Sequence, residues 1–421
     1  MEQGNEKSGP AGRRALTFIF LTMLLDVTGL GIIIPVTPEL IMELTGEGLS
    51  EAALFGGGLL FAYSGMQFLF APVIGNLSDR FGRRPVLLLS LTFFALDYVL
   101  MGLAPSILWL FVGRLLSGIS GATTTTAAAY IADVSPPEKR AANFGLIGAA
   151  FGLGFIIGPV LGGLLGQFGP RVPFLCAAGL SLCTAVYGWF VLPETLDPAQ
   201  RRPFSLRKAN PFGALKALMR YPVITVLMAP LVLFQLSHHA HPSVWSYYTM
   251  LKYGWTEAGV GYSLGVVGLV VAVVHGWLTR VIIPGVGEVR AVWLGLIIGG
   301  LGFAGFALAP DTLLLMLSVL PWAMVGIAGP ALRGIMSRQV PANAQGELQG
   351  GIGCLEGLTA IIAPPLMTRL FHMTTEPGTP WYFPGAVYML AAVLMFLAVL
   401  LFARGLALLR RNHSGDPRVS A

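Results

Sequence analysis

Long apolar runs separated by short polar breaks cover most of the 421-residue chain. Each run is continuous rather than alternating, which predicts membrane-spanning helices and excludes a β-barrel. A helix of roughly 20 apolar residues crosses about 30 Å of hydrocarbon. The pattern predicts twelve spans, numbered here 1 to 12 in chain order: 15–37, 52–75, 85–104, 107–131, 141–167, 171–192, 222–250, 258–283, 290–309, 312–335, 347–371 and 382–404.

Polar stretches divide the chain into two bundles of spans, a linker and two tails. The prediction is an N-terminal tail (1–14), a six-helix bundle (15–192), a linker (193–221), a second six-helix bundle (222–404) and a C-terminal tail (405–421). The linker is rich in basic residues and proline, and part of it (about 211–220) is predicted to be an amphipathic helix on the membrane surface.

The two halves resemble each other. Sliding the sequence by 205 residues places Gly82 on Gly287 and Pro159 on Pro364. The same offset places segment 103–105 on segment 308–310, and both read Leu-Ala-Pro. A parallel repeat of six spans predicts two pseudo-symmetric bundles around a central cavity, an architecture suited to alternating access.

Composition supports a membrane protein and removes several other classes. The chain is 55% hydrophobic and only 11% charged, whereas soluble domains carry about 25% charged residues. Soluble enzymes, nucleic-acid binders and secreted disulfide scaffolds are therefore excluded. The three cysteines lie inside apolar runs and imply no disulfide framework.

The net charge of +6 is explained by topology. With both termini in the cytoplasm, nearly all Lys and Arg residues fall on the cytoplasmic side, and only Arg171, Lys252 and Arg369 fall on the opposite side. No nucleic acid is needed to explain the basic excess. The first apolar run has no small-residue cleavage site and is followed by more spans, so it is predicted to be span 1 and not a signal peptide.

Two carboxyls and one guanidinium lie within apolar spans of the first half. Asp26 lies in span 1 and Asp97 in span 3. An ionised side chain at that depth costs at least about 2.5–3.5 kcal/mol, so each carboxyl is a candidate proton carrier or a neutral group bonded to a neighbouring span. Arg114 in span 4 keeps its proton, and it is either a counter-charge for these aspartates or a structural anchor.

The loop between spans 2 and 3, residues 75–85, reads GNLSDRFGRRP. Composition alone allows a plain basic turn, but the full spacing resembles the loop signature of the major facilitator superfamily. Span 4, with Arg114, Gly118 and Gly121, is similar to the arginine signature of that superfamily. The resemblance covers essentially the whole chain and implies an all-α membrane protein of the major facilitator fold.

Other segments resemble the twelve-span drug:proton antiporters within that superfamily. Segment 154–163 in span 5 reads GFIIGPVLGG and is similar to the antiporter signature, and segment 25–35 reads LDVTGLGIIIP. With Asp97-Tyr98, Trp245 and Gly254-Trp255, the chain is most similar to tetracycline efflux pumps. Because glycine is common in membrane helices, this interpretation rests on the similarity to the antiporter signature and not on the number of glycines.

The resemblance implies proton-coupled export of a hydrophobic small molecule, with a tetracycline as the leading substrate. It implies proton-coupling roles for Asp26 and Asp97, tuned by Arg114. It implies a moving antiporter helix containing Gly154, Gly158, Pro159, Gly162 and Gly163. It also implies a cytoplasmic gate formed by Gly75, Asp79, Arg80, Gly82, Arg83, Arg84, Asp133 and Arg140.

The second half offers weaker candidates. Span 7 contains His238, His239 and His241, which do not share one helix face, so a metal site is not expected. His275 in span 8 and Glu356 in span 11 are further proton-coupling candidates, although each is equally a satisfied polar residue. Substrate-binding candidates are Phe61, Gln67, His239, Trp245, Tyr248 and Trp277.

The second half also departs from the tetracycline pumps. Span 9 has no acidic residue in segment 296–300, and the loop 284–290 keeps a glycine turn but lacks an acid opposite Asp79. Alternatives therefore remain: a metabolite exporter, a proton-coupled importer or uniporter of the same fold, or a non-transporting sensor or enzyme. We expect no enzymatic activity, no cofactor and no metal, and a monomer in a bacterial inner membrane whose partners are protons, a small molecule and lipid.

Overall fold

The computed structural model describes residues 10–121, 123–136, 139–204, 219, 221–341 and 344–414. These residues are almost entirely helical and contain no β-strand, which confirms the all-α prediction. Eleven helical stretches among them are long and apolar enough to cross a membrane. Span 7 is also helical but is divided in two, so all twelve predicted spans are helical.

The helices of the first half follow the predicted spans closely. Span 2 extends to Phe81, six residues past its predicted end, and a short helix, Thr37–Thr45, follows span 1. The helices of spans 1 to 6 are Pro10–Ile33, Leu49–Phe81, Arg83–Gly102, Ile107–Ser120 with Thr123–Val134, Arg140–Gly166 and Val172–Val191.

The helices of the second half are more often interrupted. Those of spans 7 to 12 are Pro222–His238 with Ala240–Tyr253, Glu257–Val273 with Thr279–Val286, Glu288–Leu308, Thr312–Leu317 with Val319–Ala323 and Val325–Ser337, Gln345–Thr375, and Ala386–Ser414. A π-helical turn, Val274–Leu278, joins the two parts of span 8. The last helix continues ten residues past the predicted end of span 12, into the segment predicted to be a tail.

Proline explains two of these interruptions. Pro242 has no N–H, so the carbonyl of His238 lacks its helical partner, and the helix of span 7 ends at His238. Pro321 leaves the carbonyl of Leu317 unpaired in the same way, and the helix of span 10 divides there. The helix break in span 7 therefore lies next to its histidines.

The chain folds as two compact units. The first comprises Met1–Asn210 with Thr249–Leu269, and the second comprises Pro211–Tyr248 with Val270–Ala421. The first part of span 8 thus packs with the first six spans, although the sequence repeat assigns it to the second half. The predicted linker boundary stays a prediction, because most of the linker, like parts of both tails, lies outside the described residues.

Glycines in span 5 bring its helix against span 1 in the first unit. A Cβ atom on Gly154 would lie 2.8 Å from the Val27 side chain, and one on Gly158 would lie 2.7 Å from the Thr28 carbonyl oxygen. A Cβ on Gly162 would meet the Ile32 carbonyl directly. Spans 1 and 5 therefore pack backbone to backbone, as small residues allow in membrane helices.

The other face of span 5 packs against the start of span 8. A Cβ on Gly163 would lie 2.5 Å from the carbonyl oxygen of Glu257, and the backbone of Gly261 approaches that of Pro159. The glycines predicted to form the antiporter helix are thus the residues through which span 5 contacts two neighbours. Their role as a moving helix stays a prediction.

Candidate functional site

Asp26 lies inside the first unit, with 7% of its surface exposed. Its carboxyl interacts electrostatically with the hydroxyl groups of Tyr63 and Tyr98, which belong to spans 2 and 3. These two hydroxyls also lie within the field of Asp97 and Arg114. Spans 1 to 4 therefore bring the Asp26 carboxyl, two phenols, a second carboxyl and a guanidinium into one region of the first unit.

Asp97 is even more buried, with 2% of its surface exposed. One carboxylate oxygen, Oδ2, accepts a hydrogen bond from the Ser117 hydroxyl of span 4. The other, Oδ1, has no hydrogen-bond partner among the described residues and faces Gly113, where a Cβ would lie 2.8 Å away. A buried carboxyl with one free oxygen has room to hold or release a proton without breaking its bond to Ser117.

Arg114 is half-buried in the same region. It acts electrostatically on Asp97 and on both tyrosines, but no ion pair within 4.0 Å joins it to either aspartate among the described side chains. The described contacts therefore do not distinguish the two predicted roles of Arg114, counter-charge and structural anchor, and both stay predictions.

Close helix approach positions this group. A Cβ on Gly118 would lie 2.7 Å from the Met66 side chain, so spans 2 and 4 touch at this point. The Gln67 amide donates to the Gly121 carbonyl at 3.1 Å, which ties span 2 to the end of the first helix of span 4. Gln67, predicted to bind substrate, thus has a structural bond, while Phe61 has half of its surface exposed.

The loop between spans 2 and 3 forms a compact ionic cluster. Gly82 has φ +108°, a backbone conformation that favours glycine, and ends the helix of span 2. The Arg83 guanidinium then bonds Asp79 at 2.5 Å and Asp133 at 3.2 Å, and donates to the Ser78 hydroxyl at 2.7 Å. Arg83 therefore connects the ends of spans 2 and 4.

Glu194 is a member of this cluster that sequence reasoning missed. Its carboxylate accepts hydrogen bonds from the backbone N–H groups of Arg83 at 2.9 Å and Arg84 at 3.3 Å. It also accepts the N–H groups of Thr195 and Leu196. The available signal was an acid directly after the apolar run of span 6, where the chain turns back toward the start of span 3.

The remaining loop residues occupy the edge of the cluster. Arg84 donates to the Trp189 carbonyl at 2.7 Å and stacks on its ring at 5.7 Å, and Arg80 lies over the ring of Phe81. Gly75 has open space around it, so its identity is not explained by packing. The side chain of Arg140, predicted to join this gate, lies outside the described residues.

The second unit contains an aromatic cluster, defined here as His238, His241, Trp245, Phe306, Trp322 and Tyr388. The His241 ring stacks on Trp245 at 4.4 Å and on Trp322 at 4.5 Å. Trp245 and Tyr248 are fully buried, and the Tyr248 hydroxyl donates to the Phe306 carbonyl at 2.5 Å. Both were predicted to bind substrate; in this structure they stabilise the core of the unit, and substrate contact stays a prediction.

Other second-half candidates lie at more open positions. His275 and Trp277 are exposed and belong to the π-helical turn of span 8, a kind of distortion often found at functional sites. His239 is half-buried at the break of span 7. No group of three or more metal-ligating side chains comes together among the described residues.

Glu356 has a partner that sequence reasoning did not anticipate. Its carboxylate forms an ion pair with Arg333 of span 10. The Arg333 side chain is 43% exposed and that of Glu356 is 27% exposed, so the pair lies at a partly exposed position of the second unit. A proton-coupling role for Glu356 stays a prediction.

Comparisons with known proteins identify the family of the chain and its fold. The family model of the Major Facilitator Superfamily matches residues 19–364. The tetracycline resistance protein of class C from Escherichia coli is 36% identical over 378 residues, which cover 89% of this chain and 95% of that protein. Multidrug resistance protein 2 from Bacillus subtilis is 29% identical over 88% of this chain and 93% of its own length. The crystal structure of the nucleoside transporter NupG matches with a TM-score of 0.78 at 13% identity, covering 93% of this chain and 99% of that one, which shows the fold alone.

Proposed function

Because the chain belongs to the major facilitator superfamily, we propose that it is a proton-coupled antiporter that exports a hydrophobic small molecule by alternating access. Tetracycline is the leading substrate. Relatives whose names are tetracycline resistance and multidrug resistance proteins, aligned over about nine-tenths of this chain, support drug efflux.

The observation that carries the proposal is the buried electrostatic group of Asp26, Asp97 and Arg114 in the first unit. Two carboxyls buried in an apolar bundle hold protons readily, because burial disfavours their ionised form. Arg114 supplies a permanent positive charge that makes deprotonation possible once the site opens to a more basic compartment. A proton bound on one side is then released on the other.

Each residue has a distinct part in this cycle. Asp97 takes up the proton on Oδ1 while Ser117 continues to donate to Oδ2. Asp26, Asp97 and Arg114 each act electrostatically on the hydroxyls of Tyr63 and Tyr98, and these two tyrosines link the aspartates in the proposed cycle. The proposed proton site thus lies within spans 1 to 4.

The available driving force is sufficient for export. A proton that moves down about 100 mV releases about 2.3 kcal/mol. At 1.4 kcal/mol per factor of ten, that energy sustains a concentration ratio of roughly tens before any pH gradient is added.

The loop between spans 2 and 3 is proposed to be the cytoplasmic gate of this cycle. Arg83 connects Asp79 and Asp133 when the ends of spans 2 and 4 are close, and breaking these bonds lets the ends separate. The protein is proposed to be a monomer in a bacterial inner membrane with both termini in the cytoplasm. Its partners are protons, the exported molecule and the surrounding lipid.

Drug-driven proton movement tests the proposal. Purified protein in proteoliposomes with an imposed pH gradient receives tetracycline, followed by a panel of cationic and neutral drugs, while an internal dye reports pH. We expect tetracycline to dissipate the gradient in protein-containing vesicles and not in protein-free ones. A response to another compound alone overturns tetracycline as substrate and keeps antiport. Transport that a proton uncoupler leaves unchanged indicates a uniporter, and silence across the panel contradicts drug export.

A further inference from the structure

A groove of about 450 Å³ lies on the outer face of the first unit, between spans 3 and 6. Residues three and four positions apart share one face of a helix, so each span contributes one ridge as a wall. The walls are formed by Pro85, Leu89 and Thr92 on span 3 and by Leu182, Val186 and Trp189 on span 6. All six residues are exposed, so the groove opens away from the unit.

The floor of the groove is apolar and low. Ala185 lies there beside Leu88, and both residues are buried. Spans 3 and 6 meet behind the floor, where a Cβ on Gly188 would lie 2.7 Å from the Leu88 side chain. The Thr92 hydroxyl already donates to the Leu88 carbonyl at 2.9 Å. The groove follows span 3 for about 10 Å at 1.5 Å per residue, and its lining suits a hydrocarbon chain.

One end of the groove carries a positive charge that a proline helps to position. Pro193 has no N–H, so the carbonyl of Trp189, four residues earlier, lacks a helical partner at the end of span 6. The Arg84 guanidinium donates to this carbonyl at 2.7 Å and lies over the Trp189 ring at 5.7 Å. Among the described side chains, Arg84 has no ion pair.

Two further arginines lie at the same end of the first unit. The backbone N–H of Arg202 donates to the Asp79 carbonyl at 3.1 Å, which places the start of the linker beside the loop between spans 2 and 3. Arg201 and Arg202 are exposed, and neither has an ion pair in the part of the chain that the structure describes. The nearby acids Glu194 and Asp197 accept hydrogen bonds from backbone N–H groups instead.

We propose that this groove binds one anionic phospholipid, with an acyl chain along the apolar walls and the phosphate at Arg84. Both helices are long and apolar enough to cross a membrane, so lipid is the surrounding that their exposed face meets. An apolar chain joined to a negative headgroup matches both parts of the site, whereas a zwitterionic lipid brings no net charge to the arginines. Arg201 and Arg202 add to the attraction, as basic residues beside a membrane helix do. The proposal does not depend on which molecule the protein transports.

Lipid titration followed by native mass spectrometry tests the site. Purified protein in detergent is titrated with phosphatidylglycerol or with phosphatidylcholine, and the bound lipids and the protein copies are counted. We expect wild-type protein to bind one phosphatidylglycerol at least about tenfold more tightly than phosphatidylcholine. The melting temperature is also expected to rise with phosphatidylglycerol, because a ligand that binds only the folded state stabilises it.

Separate variants change the two parts of the site. Arg84→Gln is expected to weaken phosphatidylglycerol binding about fivefold, which corresponds to about 1 kcal/mol for one basic residue near an anionic surface, while Arg84→Lys keeps most of the affinity. The double change Arg201→Gln with Arg202→Gln is expected to weaken binding at least as much without altering the Arg84 contacts. Ala185→Phe fills the floor and is expected to weaken binding at least about tenfold. Val186→Phe narrows the groove from its exposed wall and keeps the test valid if Ala185→Phe does not fold.

Two controls change similar residues outside the site. Cys183→Phe enlarges an exposed position of span 6 that does not line the groove, and Arg290→Gln removes an exposed charge in the second unit. Both are expected to bind phosphatidylglycerol as wild type does. Equal affinity for the two lipids overturns the proposal. Unchanged affinity in Arg84→Gln and in the folded groove variants places the lipid elsewhere, and a dimer that Ala185→Phe separates gives the groove to a second copy of the chain; either result also overturns it.

Discussion

The Glu194 carboxylate accepts a 2.9 Å hydrogen bond from the backbone N–H of Arg83, although the two residues are 111 positions apart in the chain. Arg83 in turn directs its side chain away to Asp79 and Asp133. Glu194, at the end of span 6, thus holds the backbone of Arg83, while the Arg83 guanidinium connects spans 2 and 4 and forms the ion pairs of the proposed gate.

Removing the Glu194 carboxylate is therefore expected to weaken the gate without touching its ion pairs. Glu194→Ala leaves the N–H groups at the start of span 3 without their acceptor, and a lost helix cap costs about 0.5–2 kcal/mol. We expect a melting temperature lower by a few degrees in detergent and slower transport. Glu194→Gln, which keeps an acceptor oxygen, is expected to have a smaller effect. A melting temperature equal to that of the exposed control Glu347→Gln contradicts this role.

Enlarging Gly162 is expected to separate spans 1 and 5. A Cβ there meets the Ile32 carbonyl, which as backbone cannot move aside easily. Gly162→Leu should lower both the melting temperature and the transport rate severely, and Gly162→Ala should do so less. Gly152, one of the glycines in span 5 with open space around it, is the matched control. Equal effects of Gly152→Leu and Gly162→Leu would show that close packing is not the cause.

A pH-dependent contact joins the short helix after span 1 to the start of span 8. The Glu39 carboxyl is hydrogen bonded to Glu257, and this bond, together with burial and the charges of Glu257 and Glu43, raises the pKa of Glu39 to about 7. Glu43 itself pairs with Arg171 at 3.0 Å. Because the pKa is raised above its usual value of 4.5, the contact contributes its full stability below about pH 4.5 and loses it as pH rises through about 7.

The measurement is the melting temperature of the purified protein between pH 4.5 and 8. Wild-type protein is expected to lose stability across this range, and Glu39→Gln, which stays neutral, is expected to remove that part of the slope. The exposed residue Glu47 provides the control Glu47→Gln. Parallel pH profiles of Glu39→Gln and wild type would falsify the assignment to Glu39.

Much of the fold followed from the sequence because its signals are local. Twelve apolar runs of sufficient length predicted twelve spans, and the predicted family is confirmed by the match over residues 19–364. The breaks in spans 7 and 10 were readable from Pro242 and Pro321 but were not predicted. The predicted end of span 2, residue 75, was too early, because the residues of the loop signature are polar although the helix continues to Phe81.

The site was predictable only in part. Asp26, Asp97 and Arg114 stand out because charge is costly in an apolar span, and in the structure all three act electrostatically on the hydroxyls of Tyr63 and Tyr98. Glu194, the partner of Arg83, and Arg333, the partner of Glu356, did not stand out, because ion pairs and caps depend on contacts between distant segments. Trp245 and Tyr248 look like pocket residues in a sequence, but their burial depends on how the second unit packs.

The ion pair between Glu288 and Arg338 lay within reach of the sequence. The offset of 205 residues places Glu288 on Arg83 and Arg338 on Asp133. A comparison that looks for identical residues passes over both positions, because each is opposite in charge to its counterpart. The contact in the second unit shows that an ion pair is present at these positions in both halves, although the acidic and the basic residue have exchanged places.

A comparison of two modes of transport tests most directly whether the buried aspartates couple transport to protons. Asp26→Asn, Asp97→Asn and the control Asp311→Asn, which keeps a residue able to cap its helix, are reconstituted in proteoliposomes. Tetracycline accumulation driven by a pH gradient is compared with exchange of tetracycline at equal pH on both sides. We expect both buried-aspartate variants to lose gradient-driven accumulation at least about tenfold, the size of a 1.36 kcal/mol change, while exchange persists and the control behaves as wild type. Gradient-driven accumulation at the wild-type level in both variants would contradict the account.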